Sequence, residues 1–330
     1  MMQRQSHTVR VALVCVVFSL SLWPVAVAEA ASAGLHAIDA RTPQGLRELF
    51  APGDPLPLVS AHRGGSGKGL PENCIATFEE TLRHGWAMLE IDPRYTMDRV
   101  LVLNHDPTLE RTTNGTGRVA DRTWEELRQL RLKDLDGTLT EHRMTTLDEA
   151  LEWARGKTIL ILDNKDVPVE DLVRKIEEHH AEACAMLIVY NDRDIQRVHA
   201  LNKDLMMEVM VANHRRVDAF DKLDVPWRNI IAFVGHEPPQ DAGLCEAIHA
   251  KGPRCMAGTS SNIDRRFLEG QVASMEPLEP DYRALLKLGV DIIETDIPRQ
   301  VAPLFYKDQP VPASKAKFFQ RQAAAGERGS

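Results

Sequence analysis

Short apolar runs alternate regularly with amphipathic segments along most of this chain. The runs are rich in aliphatic residues and are typical of buried strands, whereas the segments between them carry apolar residues at helical spacing. Such alternation indicates parallel strands joined by crossover helices. Eight runs fit a closed (β/α)8 TIM barrel. The predicted strands are residues 58–61, 87–92, 158–162, 186–190, 206–211, 229–234, 254–257 and 291–295.

An open, doubly wound sheet is the alternative architecture for the same alternation. Polar motifs stand at the ends of the first three predicted strands, around His62, Asp92 and Asp163. A barrel gathers the C-terminal ends of all its strands around one mouth, which favours the barrel. The predicted helices include residues 169–180, 195–201, 242–251 and 282–288.

Residues 107–144 interrupt this alternation. They combine turn-rich sequence with a short helical pattern and are too long for an ordinary loop between a strand and its helix. We therefore predict a small insertion subdomain after the second strand, within a barrel domain of residues 31–311. Residues 31–55 are expected to cap the barrel floor. Residues 312–330, rich in Ala, Gly and Lys, are expected to form a disordered tail.

The first 30 residues have the features of an export signal. Arg4 and Arg10 precede the apolar run 11–28, which ends in Ala-Val-Ala at 26–28, a pattern that signal peptidase cleaves. An uncleaved membrane anchor is the alternative, because the run is about the minimum length for a span. The small residues favour cleavage, and we therefore predict that residues 1–30 are a signal peptide that is removed. We expect an exported protein, periplasmic or secreted, with no stable membrane span after cleavage.

The overall charge argues against a nucleic-acid-binding surface. The chain has a formal net charge of -8 and a pI near 5.9. Proteins that bind nucleic acid neutralise its phosphates with an excess of Lys and Arg. An anionic small-molecule substrate must therefore meet positive charge that is concentrated locally.

Four cysteines remain after the predicted cleavage: Cys74, Cys184, Cys245 and Cys255. Four cysteines allow three disulfide pairings in an oxidising compartment. Burial as small apolar residues is the favoured interpretation over a disulfide. No C-x-x-C spacing occurs, so we do not expect a zinc site.

Two pairs of charged residues are expected to point to the same side of their strands. Glu90 and Asp92 are separated by one residue at the end of the second predicted strand, and so are Asp163 and Lys165 at the third. Oxygen-only ligands suit a hard cation, and the chain lacks the H-x-H and H-E-x-x-H patterns of zinc sites. We therefore predict that Glu90, Asp92 and Asp163 bind Mg²⁺ or Ca²⁺. Taken alone, E-x-D at a strand end is more often a pair of solvated or helix-capping acids, but two histidines and the D-x-K of 163–165 accompany it here and favour the metal site.

Two histidines differ from the rest by position. His62 and His105 each follow an apolar run and precede a charged neighbour, Arg63 or Asp106. Five of the ten other histidines fall on predicted helix faces: His84, His179, His180, His199 and His249. A histidine pair can share the base and acid roles of a phosphoryl transfer. The guanidinium of Arg63 can bind two phosphate oxygens at once. We predict that both histidines transfer protons.

Several short motifs follow one another in a fixed order between residues 58 and 298. They are H-R-G at 62–64, P-E-N at 71–73, E-I-D at 90–92, H-D at 105–106, LILDNK at 160–165 and ETDIP at 294–298. Their order and spacing resemble the glycerophosphodiester phosphodiesterase family. The resemblance implies a metal-dependent TIM-barrel enzyme that hydrolyses glycerophosphodiesters to glycerol 3-phosphate and an alcohol, by way of a cyclic phosphate.

The resemblance also implies a role for each motif residue. His62 is the base and His105 the acid of the first step, and Arg63 and Lys165 hold phosphate oxygens. It implies that the insertion covers the mouth and helps to select the alcohol. Glu72 and Asn73 have a supporting role: they orient the site or hold the metal ligands.

Departures from the family pattern leave two rival functions open. The family usually has Glu where Asp163 stands, whereas related sphingolipid-directed phospholipase D toxins carry Asp-x-Lys there. A phospholipase D-like or lysophospholipid phosphodiesterase is therefore the first rival, and the length of the insertion argues against it. A non-catalytic phosphodiester-binding protein is the second, although neither His62 nor His105 is missing. The glycine-rich segment 64–69 lacks the spacing of a nucleotide-binding loop.

Overall fold

Eight parallel strands close into a barrel within the part of the chain that the structure describes, residues 34–54, 56–241, 243–307 and 311–322 of a computed structural model. Neighbours around the barrel follow chain order, and the eighth strand pairs with the first. The predicted TIM barrel is confirmed, and the open sheet is excluded. The strands are Leu58–Ala61, Met88–Ile91, Leu160–Asp163, Ala185–Val189, Met206–Met210, Ile230–Gly235, Cys255–Gly258 and Ile292–Thr295.

The barrel interior has two layers of different chemistry, because alternate residues of a strand point to the same side. The lower layer, near the N-terminal ends of the strands, is fully apolar and buried. Residues two positions further along form an upper layer that includes four carboxylates. The lower layer is Leu58, Met88, Ile161, Met186, Met206, Ile231, Met256 and Ile292. The upper layer is Ser60, Glu90, Asp163, Ile188, Glu208, Phe233, Gly258 and Glu294.

Amphipathic helices return the chain from the end of one strand to the start of the next. In the helix Val169–Glu178, Val169, Leu172, Val173 and Ile176 are buried at helical spacing, which gives one face to the barrel. The helices of the described residues are Pro43–Phe50, Ile75–His84, Trp124–Leu127, Leu147–Ala154, Val169–Glu178, Asp192–Leu201, His214–Phe220, Gly243–His249, Ile263–Leu268, Glu279–Lys287 and Pro298–Tyr306.

The insertion begins earlier than the sequence indicated. Pro93–Tyr95 pairs with Leu101–Leu103 in an antiparallel hairpin directly after the second strand, so the chain leaves the barrel before residue 107. Strands of three residues are too short to show a period of two, which explains the missed start. A second antiparallel pair joins Arg131–Lys133 to Leu139–Arg143. The insertion packs around a small core that also includes Cys74 of the barrel: Cys74, Val102, Leu109, Val119, Leu127, Leu132 and Met144.

The floor of the barrel is covered by both ends of the described chain. The strand Leu35–Ile38 pairs with Phe319–Gln322, and the helix Pro43–Phe50 packs its apolar face below the lower layer. The predicted disorder of 312–330 is therefore wrong for residues 312–322, because Phe318 is buried there at 4% exposure. Residues 323–330 lie outside the described part of the chain.

The predicted signal peptide, residues 1–30, also lies outside the described residues. Among the residues that are described, none of the helices has both the length and the apolar character needed to cross a membrane.

Candidate active site

Four carboxylates of the upper layer meet beneath the mouth of the barrel. Glu90, Asp163, Glu208 and Glu294 line a cavity of about 230 Å³, and each is at most 6% exposed. Burial, followed by the charges of the neighbouring carboxylates, raises the pKa of Glu90 and of Glu208. The same burial raises the pKa of Glu294 to about 6. A group of this kind is stable only when protons or a cation offset its negative charge.

Three carboxylates form a set that can hold a metal ion. Oxygen atoms of Glu90, Asp92 and Asp163 all lie within 4.8 Å of one another. Asp92 Oδ1 is buried and accepts no well-aligned hydrogen bond, although Lys165 Nζ lies 3.1 Å away. The oxygen-only donor set and the open oxygen fit a hard divalent cation such as Mg²⁺ or Ca²⁺. The predicted metal-binding residues therefore come together in the structure.

His62 stands in a tight turn at the end of the first strand. Arg63 and Gly64 both have positive φ values, 51° and 80°, and a Cβ on Gly64 would lie 2.3 Å from the ring of Phe78. Glycine at this position therefore lets the turn pass close to the neighbouring helix. The turn directs the backbone N–H of Arg63 to Glu90 Oε2 at 2.7 Å.

The imidazole of His62 is oriented by a carboxylate from the opposite end of the barrel sequence. His62 Nδ1 donates to Asp296 Oδ1 at 2.6 Å. Burial of the ring disfavours its charged form, but the hydrogen bond with Asp296 and the charge of Glu294 outweigh burial and raise the pKa of His62. Asp296 is itself fixed, because its backbone N–H donates to the buried Asp264 Oδ2 at 2.8 Å.

His105 follows the hairpin of the insertion and forms a second histidine–carboxylate pair. Its Nδ1 donates to Asp106 Oδ1 at 2.8 Å, and its backbone carbonyl accepts from Arg94 Nη2 at 2.6 Å. Partial burial lowers the pKa of His105, and the hydrogen bond with Asp106 only partly opposes that effect. The two histidine pKa values are thus shifted in opposite directions.

Arg111 connects the second histidine to the rest of the site. It donates from Nε to Asp106 Oδ2 at 2.7 Å and from Nη1 to Glu72 Oε2 at 2.7 Å. Glu72 also accepts from Arg63 Nη1 at 3.2 Å. A continuous set of ion pairs therefore runs from His105 through Asp106, Arg111, Glu72 and Arg63.

Asn73 and Lys165 hold two of the three candidate metal ligands, Asp92 and Asp163, in place. Asn73 adopts a positive φ of 56°, donates from Nδ2 to Asp92 Oδ2 at 2.7 Å and accepts from the Asp92 backbone N–H at 2.9 Å. Lys165 contacts both Asp92 and Asp163. Asp163 also accepts from the Tyr190 hydroxyl at 2.5 Å. These contacts fix both carboxylates; they use both oxygens of Asp163 and leave Asp92 Oδ1 without a hydrogen bond.

The predicted site residues fall into two groups. One group lines the cavity, and the other is connected to it by hydrogen bonds and ion pairs. The lining group is His62, Glu90, Asp163 and Lys165. The connected group is Arg63, Glu72, Asn73, Asp92 and His105.

Two orienting residues were not assigned from the sequence. Asp296 belongs to the ETDIP motif, whose aspartate had no role assigned to it, and Arg111 follows His105-Asp106 by five residues in the insertion. Both act on residues distant in the sequence or across a turn, so neither strand nor helix periodicity indicates them. Glu208, which could have pointed either way, faces the interior.

Comparison with known proteins defines the family. The model of the "Glycerophosphoryl diester phosphodiesterase family" matches residues 62–299. The chain belongs to this phosphodiesterase family. The prediction made from the motifs, that the chain is an enzyme of this family, is therefore confirmed.

Individual phosphodiesterases agree with this assignment. The crystal structure of a glycerophosphoryl diester phosphodiesterase from Parabacteroides distasonis has a TM-score of 0.82 and 41% identity, and covers 87% of this chain and 100% of that one. A glycerophosphodiester phosphodiesterase of Caldanaerobacter subterraneus is 36% identical over 152 residues, 43% of this chain and 62% of that protein. This match therefore spans less than two thirds of the Caldanaerobacter protein. One from Bacillus altitudinis is 27% identical over 256 residues, 73% of this chain and 94% of that protein.

Proposed function

We propose that this chain hydrolyses glycerophosphodiesters to glycerol 3-phosphate and an alcohol with the help of a bound divalent cation, Mg²⁺ or Ca²⁺. The observation that carries the proposal is the presence of two histidine–carboxylate pairs at the cavity. His62, paired with Asp296, lines the cavity beside the carboxylates. His105, paired with Asp106, is linked to Glu90 through ion pairs and the Arg63 backbone. A cation bound by Glu90, Asp92 and Asp163 would neutralise charge on the phosphoryl oxygens.

Positive side chains are available for the phosphate. Lys165 lines the cavity, and Arg63 is held beside it by Glu72 and by its own backbone contact to Glu90. A guanidinium can bind two phosphate oxygens, and an ammonium adds a point charge. We propose that these two residues orient the phosphodiester above the carboxylates.

The substrate itself supplies the nucleophile in this proposal. The described residues that line the cavity include no serine, cysteine or threonine that could act as a nucleophile. The Tyr190 hydroxyl already donates a hydrogen bond to Asp163. The 2-hydroxyl of the glycerol would attack phosphorus at high effective concentration. His62 would take its proton and His105 would protonate the leaving alcohol. The roles would reverse when water opens the cyclic phosphate.

The order of the two histidine roles is a separate question. The family resemblance gives the base to His62, whereas the raised pKa of His62 and the lowered pKa of His105 favour the reverse order in the chain without a cation. A substrate with a 4-nitrophenol leaving group needs no general acid. If His105 is the acid, His105→Ala retains far more activity on this substrate than on a natural diester, and His62→Ala does not. If instead His62→Ala retains far more activity on this substrate, His62 is the acid and His105 is the base.

The proposed reaction is tested with a panel of glycerophosphodiesters, lysophospholipids and a 2-deoxyglycerol analogue. We expect release of glycerol 3-phosphate from the short diesters and a loss of about 10²- to 10⁴-fold in rate for His62→Ala and His105→Ala. His84→Ala, at the exposed end of a helix, is the matched control. Rapid turnover of the deoxy analogue would indicate direct attack of water on phosphorus, without a cyclic intermediate. A preference for lysophospholipids would identify them as the substrate in place of the short diesters.

The metal requirement is tested by removing divalent cations. Exhaustive chelation is expected to stop turnover, and Mg²⁺ or Ca²⁺ to restore it. Glu90→Gln is expected to weaken cation binding in calorimetry, whereas Glu80→Gln, on an outer helix, leaves it unchanged. Full activity after chelation contradicts the proposed metal role.

We further propose that the protein is exported and that residues 1–30 are removed. The proposal rests on the Arg-flanked apolar run and its Ala-Val-Ala end. The mass of the protein isolated from the native host tests it.

A further inference from the structure

A second group of metal-ligating side chains lies at the other end of the barrel. Cys255 is the first residue of the seventh strand, Asp291 precedes the eighth strand, and His249 ends the helix Gly243–His249. Ligand atoms of these three residues all lie within 4.8 Å of one another. The catalytic carboxylates stand at the opposite, C-terminal ends of the strands, so this group is separate from the active site.

A fourth donor, Cys245, stands beside the group. Cys245 and His249 are four residues apart on one helix and therefore share a face. The thiol of Cys255 donates to the backbone carbonyl oxygen of Cys245 at 3.9 Å, which brings the two cysteines together. One thiol, one imidazole and one carboxylate thus converge from one helix and the bases of two strands, and Cys245 places a second thiol next to them.

Contacts around Asp291 fix the geometry of the group. Asp291 Oδ2 accepts from His249 Nε2 at 2.8 Å and from the Cys255 backbone N–H at 2.8 Å. Asp291 Oδ1 lies 3.3 Å from Arg254 Nη1. The side chains of His249 and Asp291 are 35% and 19% exposed, whereas both cysteines are buried. The group is therefore held together in advance and reached from solvent on one side.

The backbone nearby leaves room for two of the donors. Gly289 has a φ of +90°, and a Cβ on it would lie 2.8 Å from Cys245 Cβ and 3.5 Å from His249 Cε1. Any larger residue would displace Cys245 or His249.

The charges also balance with a divalent ion. Two thiolates and one carboxylate are negative, and the ion together with Arg254 offsets them.

We propose that His249, Cys255 and Asp291, with Cys245 as the fourth donor, form a structural zinc site at the floor side of the barrel. Sulfur and imidazole donors favour Zn²⁺ over the hard cations of the active site, and four protein ligands are typical of a structural rather than a catalytic zinc. The spacing 245, 249, 255 and 291 contains no C-x-x-C pair, so the site is formed by the fold and not by a local motif.

Zinc in this place links the helix Gly243–His249 to two barrel strands. Because the ion binds the folded chain only, it should raise the melting temperature. A saturating ion at about 100 times its dissociation constant corresponds to a Tm increase of roughly 4–5 °C for a domain of this size.

The test uses the full chain after chelation and under reducing conditions. Titration with Co²⁺ is expected to give a thiolate-to-cobalt charge-transfer band that Zn²⁺ abolishes, since the oxygen ligands of the active site cannot produce it. The band should disappear in Cys255→Ala and persist in Cys184→Ala, a matched buried cysteine elsewhere in the barrel. After zinc is added back and the excess is removed, elemental analysis should find one zinc fewer per chain in Cys255→Ala than in the wild type.

His249→Gln covers the case in which Cys255→Ala does not fold. His249 is partly exposed, so this change should leave the circular dichroism spectrum unchanged and remove the increase in Tm produced by zinc. A wild-type chain without the charge-transfer band overturns the proposal. A band that survives in Cys255→Ala overturns it as well, and so does an equal zinc-induced Tm increase in His249→Gln.

Discussion

Replacing Asp296 by Asn tests how the active site sets the protonation of His62. The substitution keeps the size of the side chain and leaves the backbone N–H of residue 296 bonded to Asp264, but it removes the charge that faces His62 Nδ1 at 2.6 Å. A hydrogen bond to a charged group contributes about 1.5–3 kcal/mol. Since one pKa unit corresponds to about 1.4 kcal/mol, the pKa of His62 should fall by roughly 1–2 units.

The loss of orientation should affect catalysis more than substrate binding. An asparagine can present its amide N–H to His62 and stabilise the wrong tautomer, so kcat should fall by roughly 10²- to 10⁴-fold with a much smaller change in KM. The limb of the pH–rate profile that belongs to His62 should move to lower pH. Nuclear magnetic resonance of the imidazole C–H proton measures the pKa of His62 directly.

The same change has a defined signature in stability. The pKa of His62 is raised in the folded chain, so its pairing with Asp296 contributes fully below the ordinary value of 6.5 and is lost as the pH rises through the raised value. Asp296→Asn should therefore lower the Tm most on the acidic side of 6.5, and the difference should disappear at higher pH. The control is Asp241→Asn, whose partner His214 forms an exposed pair. An unchanged pKa of His62 together with an unchanged rate would refute the reasoning.

Three further predictions concern other parts of the molecule. Arg111→Met should lower kcat about 10- to 100-fold. The Arg111 contact holds the pKa of Asp106 low, so in the variant Asp106 becomes protonated, and activity is lost, at a higher pH than in the wild type as the solution is acidified. Kinetics across pH 4–8 checks this. Gly64→Ala should reduce the free energy of unfolding by about 2–4 kcal/mol in urea titrations, because its Cβ meets Phe78 at a positive φ. Intact-mass measurement should show a native chain that lacks residues 1–30.

Matched variants separate these effects from general damage. Arg128→Met removes an exposed arginine from the same insertion and should leave the pH profile unchanged. Gly137→Ala introduces a Cβ at a positive φ of 78° with no atom within 4 Å, so it should cost less than Gly64→Ala. Equal losses in the two glycine variants would contradict the close approach to Phe78, and a native chain that begins at Met1 would contradict cleavage.

The barrel and the candidate metal-binding carboxylates Glu90 and Asp92 could be predicted because both depend on short-range periodicity. Alternation of apolar runs locates the strands, and the i, i+2 rule places Glu90 and Asp92 on one side. The partner of His62 could not be derived in this way, since residues 62 and 296 meet only when the eighth strand pairs with the first. The zinc-type cluster was missed for the same reason.

Composition was misleading where a few residues decide the structure. The C-terminal segment reads as disordered because Ala, Gly and Lys dominate it, yet Phe318 and Phe319 anchor it to the floor. Lys315 contributes as well, because its Nζ donates to the carbonyl oxygen of Ala51 at 3.2 Å. Two aromatic residues in a polar segment do not produce a periodic signal, but they contribute enough buried area to order it.

The pairing of Leu35–Ile38 with Phe319–Gln322 has a consequence for how the protein is made. A ribosome delivers the chain from its N-terminus, and a strand pair needs both partners. Until residue 322 has been synthesised, Ile38 and the apolar side chains around it lack their cover, and the strand Leu35–Ile38 has no partner. The floor therefore closes only after residue 322 has been synthesised, and a nascent chain exposes this apolar surface until then.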